Sequence, residues 1–261
     1  MRYILFEIGP FTLYSYGFMI AIGIIAAIMV ADFRAKKYGL NGDHMYGIAI
    51  LGLIFGMLGA KLLFFITEIK DILENPSILL SLSEGFVVYG GIIGGIFGAY
   101  LYCRWKKLPV WKYFDIAAPS LALAQGFGRI GCFMAGCCYG RETSAWYGVT
   151  FEHSPFAPNH VALIPTQLIS SAADFLHFFL LLWITKKRKT EGIVVSFYLI
   201  FYSIGRFLIE MLRNDPRGSV SFLSTSQFIS IFMLVIGILS IVLLKRKGVK
   251  EERVGETEET R

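Results

Sequence analysis

Long apolar runs, separated by short polar or charged connections, organise this chain from end to end. Seven such stretches lie at about 13–31, 46–67, 86–103, 113–138, 163–184, 192–212 and 222–244. Each approaches the roughly 20 residues a helix needs to cross the hydrocarbon of a bilayer. Backbone groups in lipid must be satisfied within their own segment, so the runs are predicted to be helices despite their many Ile, Val and Phe. The predicted fold is an all-α integral membrane protein, a bundle of about seven transmembrane helices. Residues 1–244 form a single membrane domain, and the charged stretch 245–261, KRKGVKEERVGETEETR, is a cytoplasmic tail too polar to fold alone.

The connections set the orientation. Lys and Arg number 17 in the segments 32–45, 104–112, 185–191 and 245–261, against 5 in 1–12, 68–85, 139–162 and 213–221. By the positive-inside rule this places the N-terminus outside and the C-terminus in the cytoplasm. Composition agrees: of 261 residues, 55% are hydrophobic and 17% charged, which removes the ordinary soluble classes. The net charge of +6 therefore reads as topology. Its natural counterpart is membrane lipid headgroups, and a nucleic-acid partner has no support.

Three further features narrow the picture. MRYILFEIGPF interrupts its apolar run with Glu7 and Pro10, and no cleavage site follows the first span, so no removable signal peptide is expected. Tyr-Gly recurs at residues 16–17, 46–47 and 89–90, but at unequal offsets that argue against the paired repeats of secondary transporters. The cysteines at 103, 132, 137 and 138 match no zinc spacing. Adjacent Cys137 and Cys138 could pair only with strain, and the plain reading of all four is helix packing.

Polar residues inside the runs carry the chemistry, because each is costly there. Gly90, Gly91, Gly94, Gly95 and Gly98 make a flat face on which a second helix can lie. Lys61 sits near a span end, where snorkelling is as good an account as function. Asp174 and His177 stand one turn apart and are expected to bond each other. Tyr202, Arg206, Glu210 and Arg213 recur at four, four and three residues, which lines a phenol, two guanidiniums and a carboxylate along one helical face. Arg129, in GRIGCFMAGCCYGR, is expected near the same membrane surface, with Gly126, Gly128 and Gly131 beside it. Two arginines near one surface suggest a shared anion, since guanidinium binds phosphate in a fork and stays charged in a dry site. The residues thus predict a phospholipid headgroup site facing the outer leaflet.

The sequence resembles the bacterial prolipoprotein diacylglyceryl transferase family. The resemblance rests on SYG at 15–17, GAK at 59–61, YGGIIGG at 89–95, Asp115 with Ala118-Pro119, GRIGCFMAGCCYG at 128–140, PTQL at 165–168 and YSIGRFLIEMLR at 202–213. It implies a multi-pass enzyme of the bacterial inner membrane, working near the outer leaflet. Such an enzyme moves a diacylglyceryl group from phosphatidylglycerol to the lipobox cysteine thiol of a prolipoprotein signal peptide, without metal or cofactor. By that resemblance Arg129 binds the headgroup, Arg206 is a second essential arginine oriented by Glu210, and Tyr16 and Tyr202 line the site with Gly90, Gly91 and Gly128.

The chain departs from the pattern where members carry His, Asn and Glu: here stand Tyr89, Cys132 and Cys137. Ala135 and Ile164 also replace a common Asn and His. A phenol is a poor general base near neutral pH, so Tyr89 is expected to position headgroup or thiol by hydrogen bonding. A free thiol costs only about 2 kcal/mol to ionise at pH 7. Cys132 or Cys137 as a covalent relay is less economical, since a thioether is a poor donor. The rival readings are a non-catalytic relative and a lipid or anion transporter using the same arginines. No HExxH, GxSxG or paired-aspartate pattern supports a protease.

Overall fold

The computed structural model describes residues 3–9, 11–75, 85–188, 190–215, 218–220 and 222–259; Pro10 and part of the 68–85 connection lie outside them. Two compact units emerge, one of residues 1–30 with 114–261 and one of residues 31–113. Among the described residues, five helices are long and apolar enough to cross a membrane, within Ser15–Lys37, Asp43–Thr67, Thr166–Lys187, Ile193–Glu210 and Thr225–Arg246. The chain is therefore a mostly helical membrane protein. The apolar run at 86–103 is helical from Val88 and that at 113–138 is helical as far as Ala135, but the first is rich in glycine and the second holds Asp115, Gln125 and Arg129.

In chain order the elements begin with an antiparallel hairpin, β1 (Ile4–Ile8) and β2 (Phe11–Tyr14), pairing Phe6 with Leu13 and Glu7 with Thr12. Gly9 turns it at φ +58, a conformation that costs glycine little. The Ser15 N–H and hydroxyl both donate to the Tyr3 carbonyl, at 3.0 and 3.1 Å, tying the hairpin to α1 (Ser15–Lys37). Helices α2 (Asp43–Thr67), α3 (Ile69–Glu74), α4 (Val88–Trp105) and α5 (Val110–Ala135) follow. The two-residue strands β3 (Val149–Thr150) and β4 (Ala162–Leu163) precede α6 (Thr166–Lys187) and α7 (Ile193–Glu210). The pair β5 (Ser219–Val220) and β6 (Leu223–Ser224) leads into α8 (Thr225–Glu259), whose backbone includes most of the charged stretch expected to be a disordered tail.

In the unit of residues 31–113, α2 and α4 meet along a glycine seam. A Cβ on Gly90 would collide with the Gly59 carbonyl, and one on Gly98 would stand 2.6 Å from the Leu51 carbonyl. The helices are close enough that no side chain separates them, which is what small residues at this spacing allow. At the other end of the seam the Tyr113 hydroxyl donates to the Asn41 carbonyl at 3.2 Å, and His44 Nδ1 lies 3.2 Å from the Tyr102 hydroxyl.

The other unit has its core where α5, α6 and α7 meet: Ala118 and Ala122, Phe178 and Leu181, and Val194. Asp115 organises its end. The buried carboxylate accepts from Arg188 Nη1 at 2.7 Å, from the Gly192 N–H at 2.8 Å and from the Val195 N–H at 3.0 Å. It thus satisfies N–H groups that the start of α7 leaves without helical partners, from more than 70 residues away in sequence. Buried Pro119, one turn on, cannot donate to the Asp115 carbonyl four residues back. The 139–162 connection closes over a small apolar cluster of Tyr139, Phe151, Ala157 and Leu163, completed by Phe133 of α5.

Candidate active site

Helix α5 ends on a glycine stop that assembles an unexpected group of side chains. Gly136 adopts φ +77, its N–H bonds the Phe133 carbonyl at 3.2 Å, and the Cys137 N–H bonds the Cys132 carbonyl at 3.1 Å. These are the two bonds of a left-handed helix cap, which sets the residue after the glycine beside the one four before it. Cys137 and Cys132 become neighbours, and the Cys137 thiol points at the Cys132 carbonyl, 3.7 Å away. Cys138 then takes φ +62, rare for a side chain with a Cβ. The three sulfurs lie within 4.8 Å of one another. Helix α6 fixes the turn from behind: Gln167 Nε2 donates to the Cys137 carbonyl and Thr166 Oγ1 to the Cys138 carbonyl, both at 2.7 Å.

The thiols had been expected to pack as small apolar residues within a span. Cys103 and Cys132 are buried in helices. Cys137 and Cys138 are not helical, and form a half-buried turn beyond α5.

Arg129 lies one turn before Cys132 on α5. Its guanidinium interacts electrostatically with Asp174 of α6, Tyr202 of α7, and Cys132 and Cys138. Asp174 in turn lies in the field of both Arg129 and Arg206. The charge of Asp174 thus acts on arginines from two different helices, while the direct partners of Arg206 are Glu210 and Ser226. The expected Asp174–His177 hydrogen bond does not form among the described residues. The His177 ring instead stacks on Tyr198 at 5.2 Å and meets Phe201 edge-on at 5.7 Å. Tyr16, at the start of α1, stands in the field of Arg129 and the three thiols.

The α7 stripe continues as a connected network. Arg206 Nη2 donates to Ser226 Oγ of α8 at 2.8 Å and lies 3.2 Å from Glu210 Oε2. Buried Glu210 reaches Arg213 Nη1 at 3.9 Å, and Arg213 forks onto Asp215 with bonds of 3.0 and 2.8 Å. Burial alone would lower the Arg213 pKa; the bonds and charge of Asp215 outweigh it and hold the group above its ordinary value. Arg213 lies just beyond α7, bridged to Gly140, and the Arg141 N–H donates to the Leu212 carbonyl at 2.9 Å. Tyr202 stacks on Tyr198 with ring centroids 6.0 Å apart.

Three glycines beside these residues have no packing reason to be glycine. A Cβ at Gly17, Gly128 or Gly205 would meet nothing within 4 Å, and the three adjoin Tyr16, Arg129 and Arg206. Tyr89, Gly90 and Gly91 belong to the unit of residues 31–113, in the first turn of α4. There Gly90 abuts the Gly59 carbonyl, while a Cβ on Gly91 would stand 3.5 Å from Ala60 Cβ. In the same unit the Lys61 amine lies 5.3 Å from the ring centres of Phe64, Phe65 and Phe86.

A family model described as prolipoprotein diacylglyceryl transferase matches residues 3–243. A phosphatidylglycerol–prolipoprotein diacylglyceryl transferase of Clostridium tetani is 55% identical over 238 residues, 91% of this chain and 96% of that protein. A second, from Clostridium perfringens, is 50% identical over 252 residues, 96% and 98% of the two chains. One from Staphylococcus haemolyticus is 32% identical across 93% of this chain and 88% of its own. The chain belongs to the prolipoprotein diacylglyceryl transferase family.

Within this diacylglyceryl transferase the structure gathers Arg129, Tyr16, Tyr202, Arg206 and Glu210 in one unit, together with residues that sequence reasoning assigned no role. Asp174 was set aside as a partner for His177. Ser226 gave no signal. The thiol group was legible in principle, because Gly136 marks a helix stop and the cap it forms brings the flanking cysteines together.

Proposed function

We propose that this chain transfers the diacylglyceryl group of phosphatidylglycerol to the lipobox cysteine of prolipoproteins, as the names of its relatives describe for those proteins. The substrate sulfur attacks the terminal glyceryl carbon, the carbon–oxygen bond to phosphate breaks, and the electron pair leaves with glycerol phosphate. Charge therefore grows on the phosphate oxygens as the bond breaks, where fixed cations stabilise it most. Arg129 and Arg206 supply them, Glu210 holds Arg206 in place, and Tyr16 and Tyr202 line the headgroup. Tyr89 positions headgroup or thiol, with Gly90 and Gly91 behind it. The chain crosses the bacterial inner membrane seven times, N-terminus outside, and works at the outer leaflet.

The observation that supports this reading is a pair of arginines, on α5 and α7, that lie in the field of one carboxylate, Asp174, each next to a glycine, Gly128 and Gly205, with open space where a side chain would stand. Guanidiniums from separate helices within reach of one another's field are suited to bind an anion between them. The test is reconstitution in phosphatidylglycerol vesicles with a lipobox peptide, read as peptide mass. A gain of one diacylglyceryl group that requires the peptide cysteine and is abolished by Arg129→Ala is expected. Retained lipid binding with no mass gain would leave a non-catalytic relative.

A further inference from the structure

Cys132, Cys137 and Cys138 go beyond what the transfer reaction requires of this site. Their sulfurs lie within 4.8 Å of one another, near the S···S distance of about 3.8 Å that three thiolates take around one tetrahedral zinc, given a Zn–S bond of about 2.3 Å. The convergence is built by the backbone. The glycine cap places Cys137 beside Cys132, and Cys138 accepts a left-handed φ of +62 that turns its thiol back to the same point. Strain of that kind persists only where surroundings impose it. Here buried Thr166 and Gln167 clamp the two turn carbonyls. Positive charge from Arg129 and Arg213 reaches Cys138, as a trio of thiolates on one divalent ion would need.

We propose that these three cysteines bind one zinc ion, and that its open fourth position takes the thiol of the acceptor peptide. The inference rests on the transferase reading above for the identity of that thiol. Three protein ligands with a fourth position open is the arrangement of a catalytic rather than structural zinc. A thiol bound to zinc is deprotonated outright. The acceptor sulfhydryl would release its proton to solvent on coordination and, as a metal-held thiolate, use a sulfur lone pair to form the carbon–sulfur bond. The departing phosphate monoester takes the carbon–oxygen electron pair, so no base and no redox partner is consumed. The thiolate then arises beside Arg129 and Tyr16, next to the groups assigned to the headgroup.

The test uses the full-length protein in detergent, purified under reducing conditions. Elemental analysis is expected to give one zinc per chain, retained in Cys103→Ser and lost in Cys132→Ser or Cys137→Ser. Gln167→Leu is expected to weaken zinc by about 10–100-fold through the freed turn. Cobalt titration of the wild-type protein needs no variant. It is expected to show sulfur-to-metal charge transfer and tetrahedral ligand-field bands that shift with the lipobox peptide and not with its Cys→Ser analogue. A wild type that takes up neither metal, with its thiols alkylated freely or joined as a disulfide, would overturn the site. Bound cobalt indifferent to the peptide thiol would overturn the open position. Peptide-responsive cobalt without diacylglyceryl transfer would remove the transferase reading and leave the metal site; full transfer by chelated, metal-free protein would leave the transferase reading and overturn the zinc's part in it.

Discussion

Gly128 and Gly90 make a useful contrast, because the same substitution should act on different properties. A methyl at Gly128 enters space that nothing within 4 Å occupies, so Gly128→Ala should leave thermal stability unchanged or raise it by up to about 1 kcal/mol. Transfer should fall about 10- to 100-fold, the effect of displacing a headgroup by a fraction of a bond length. Gly90→Ala drives a methyl into the Gly59 carbonyl and should cost about 1–3 kcal/mol. Melting curves and peptide mass measured side by side separate the two. Asp174→Asn removes the negative charge that acts on Arg129 and Arg206. Glycerol phosphate should then bind about tenfold more tightly, roughly 1.4 kcal/mol, as read by calorimetry. Sequence spacing exposed the arginines because each is expensive in an apolar run. It hid Asp174, because i, i+3 proximity to His177 offered a nearer partner than helices distant in the chain.

At the scale of elements, apolar length fixed the helices well and their ends less well. The stretch read as 113–138 ends at Ala135, and the three-residue difference carries the chemistry of Cys137 and Cys138. Hydropathy cannot see that stop, since Gly136 and two cysteines are as apolar as the helix before them; only the glycine's backbone freedom marks it. The β1–β2 hairpin escaped notice because Glu7 and Pro10 broke its run. Asp115 is the clearest element-scale dependence. Three donors converge on it, from Arg188, Gly192 and Val195, and it fixes where α7 begins. Asp115→Asn keeps the shape and removes the charge that accepts from Arg188 and from the start of α7. A loss of about 3–5 kcal/mol is expected, measured by thermal unfolding in detergent, with residual activity in the folded fraction.

For the whole molecule, the alternation of basic and sparse connections makes a direct prediction. A reporter fused after Arg261 should be active only in the cytoplasm, and a cysteine placed at Ala145, in the 139–162 connection, should label from outside intact cells. The opposite pattern would reverse the assigned orientation. The orientation rests on Lys and Arg counts alone, which is why this labelling decides it. The division into units 1–30 with 114–261 and 31–113 was not legible, since no linker composition marks it. The glycine seam of the smaller unit has a mechanical consequence. Where two helices touch backbone to backbone, there are no rotamers to relax and no side-chain layer to shear. Sliding α4 along α2 by even one 1.5 Å residue step would press backbone atoms into one another where they already lie close, at Gly59 beside the Gly90 carbonyl and at Gly56 beside the Gly91 carbonyl. The pair therefore moves as one stiff lever, and any stroke that carries Tyr89 must carry Lys61 with it.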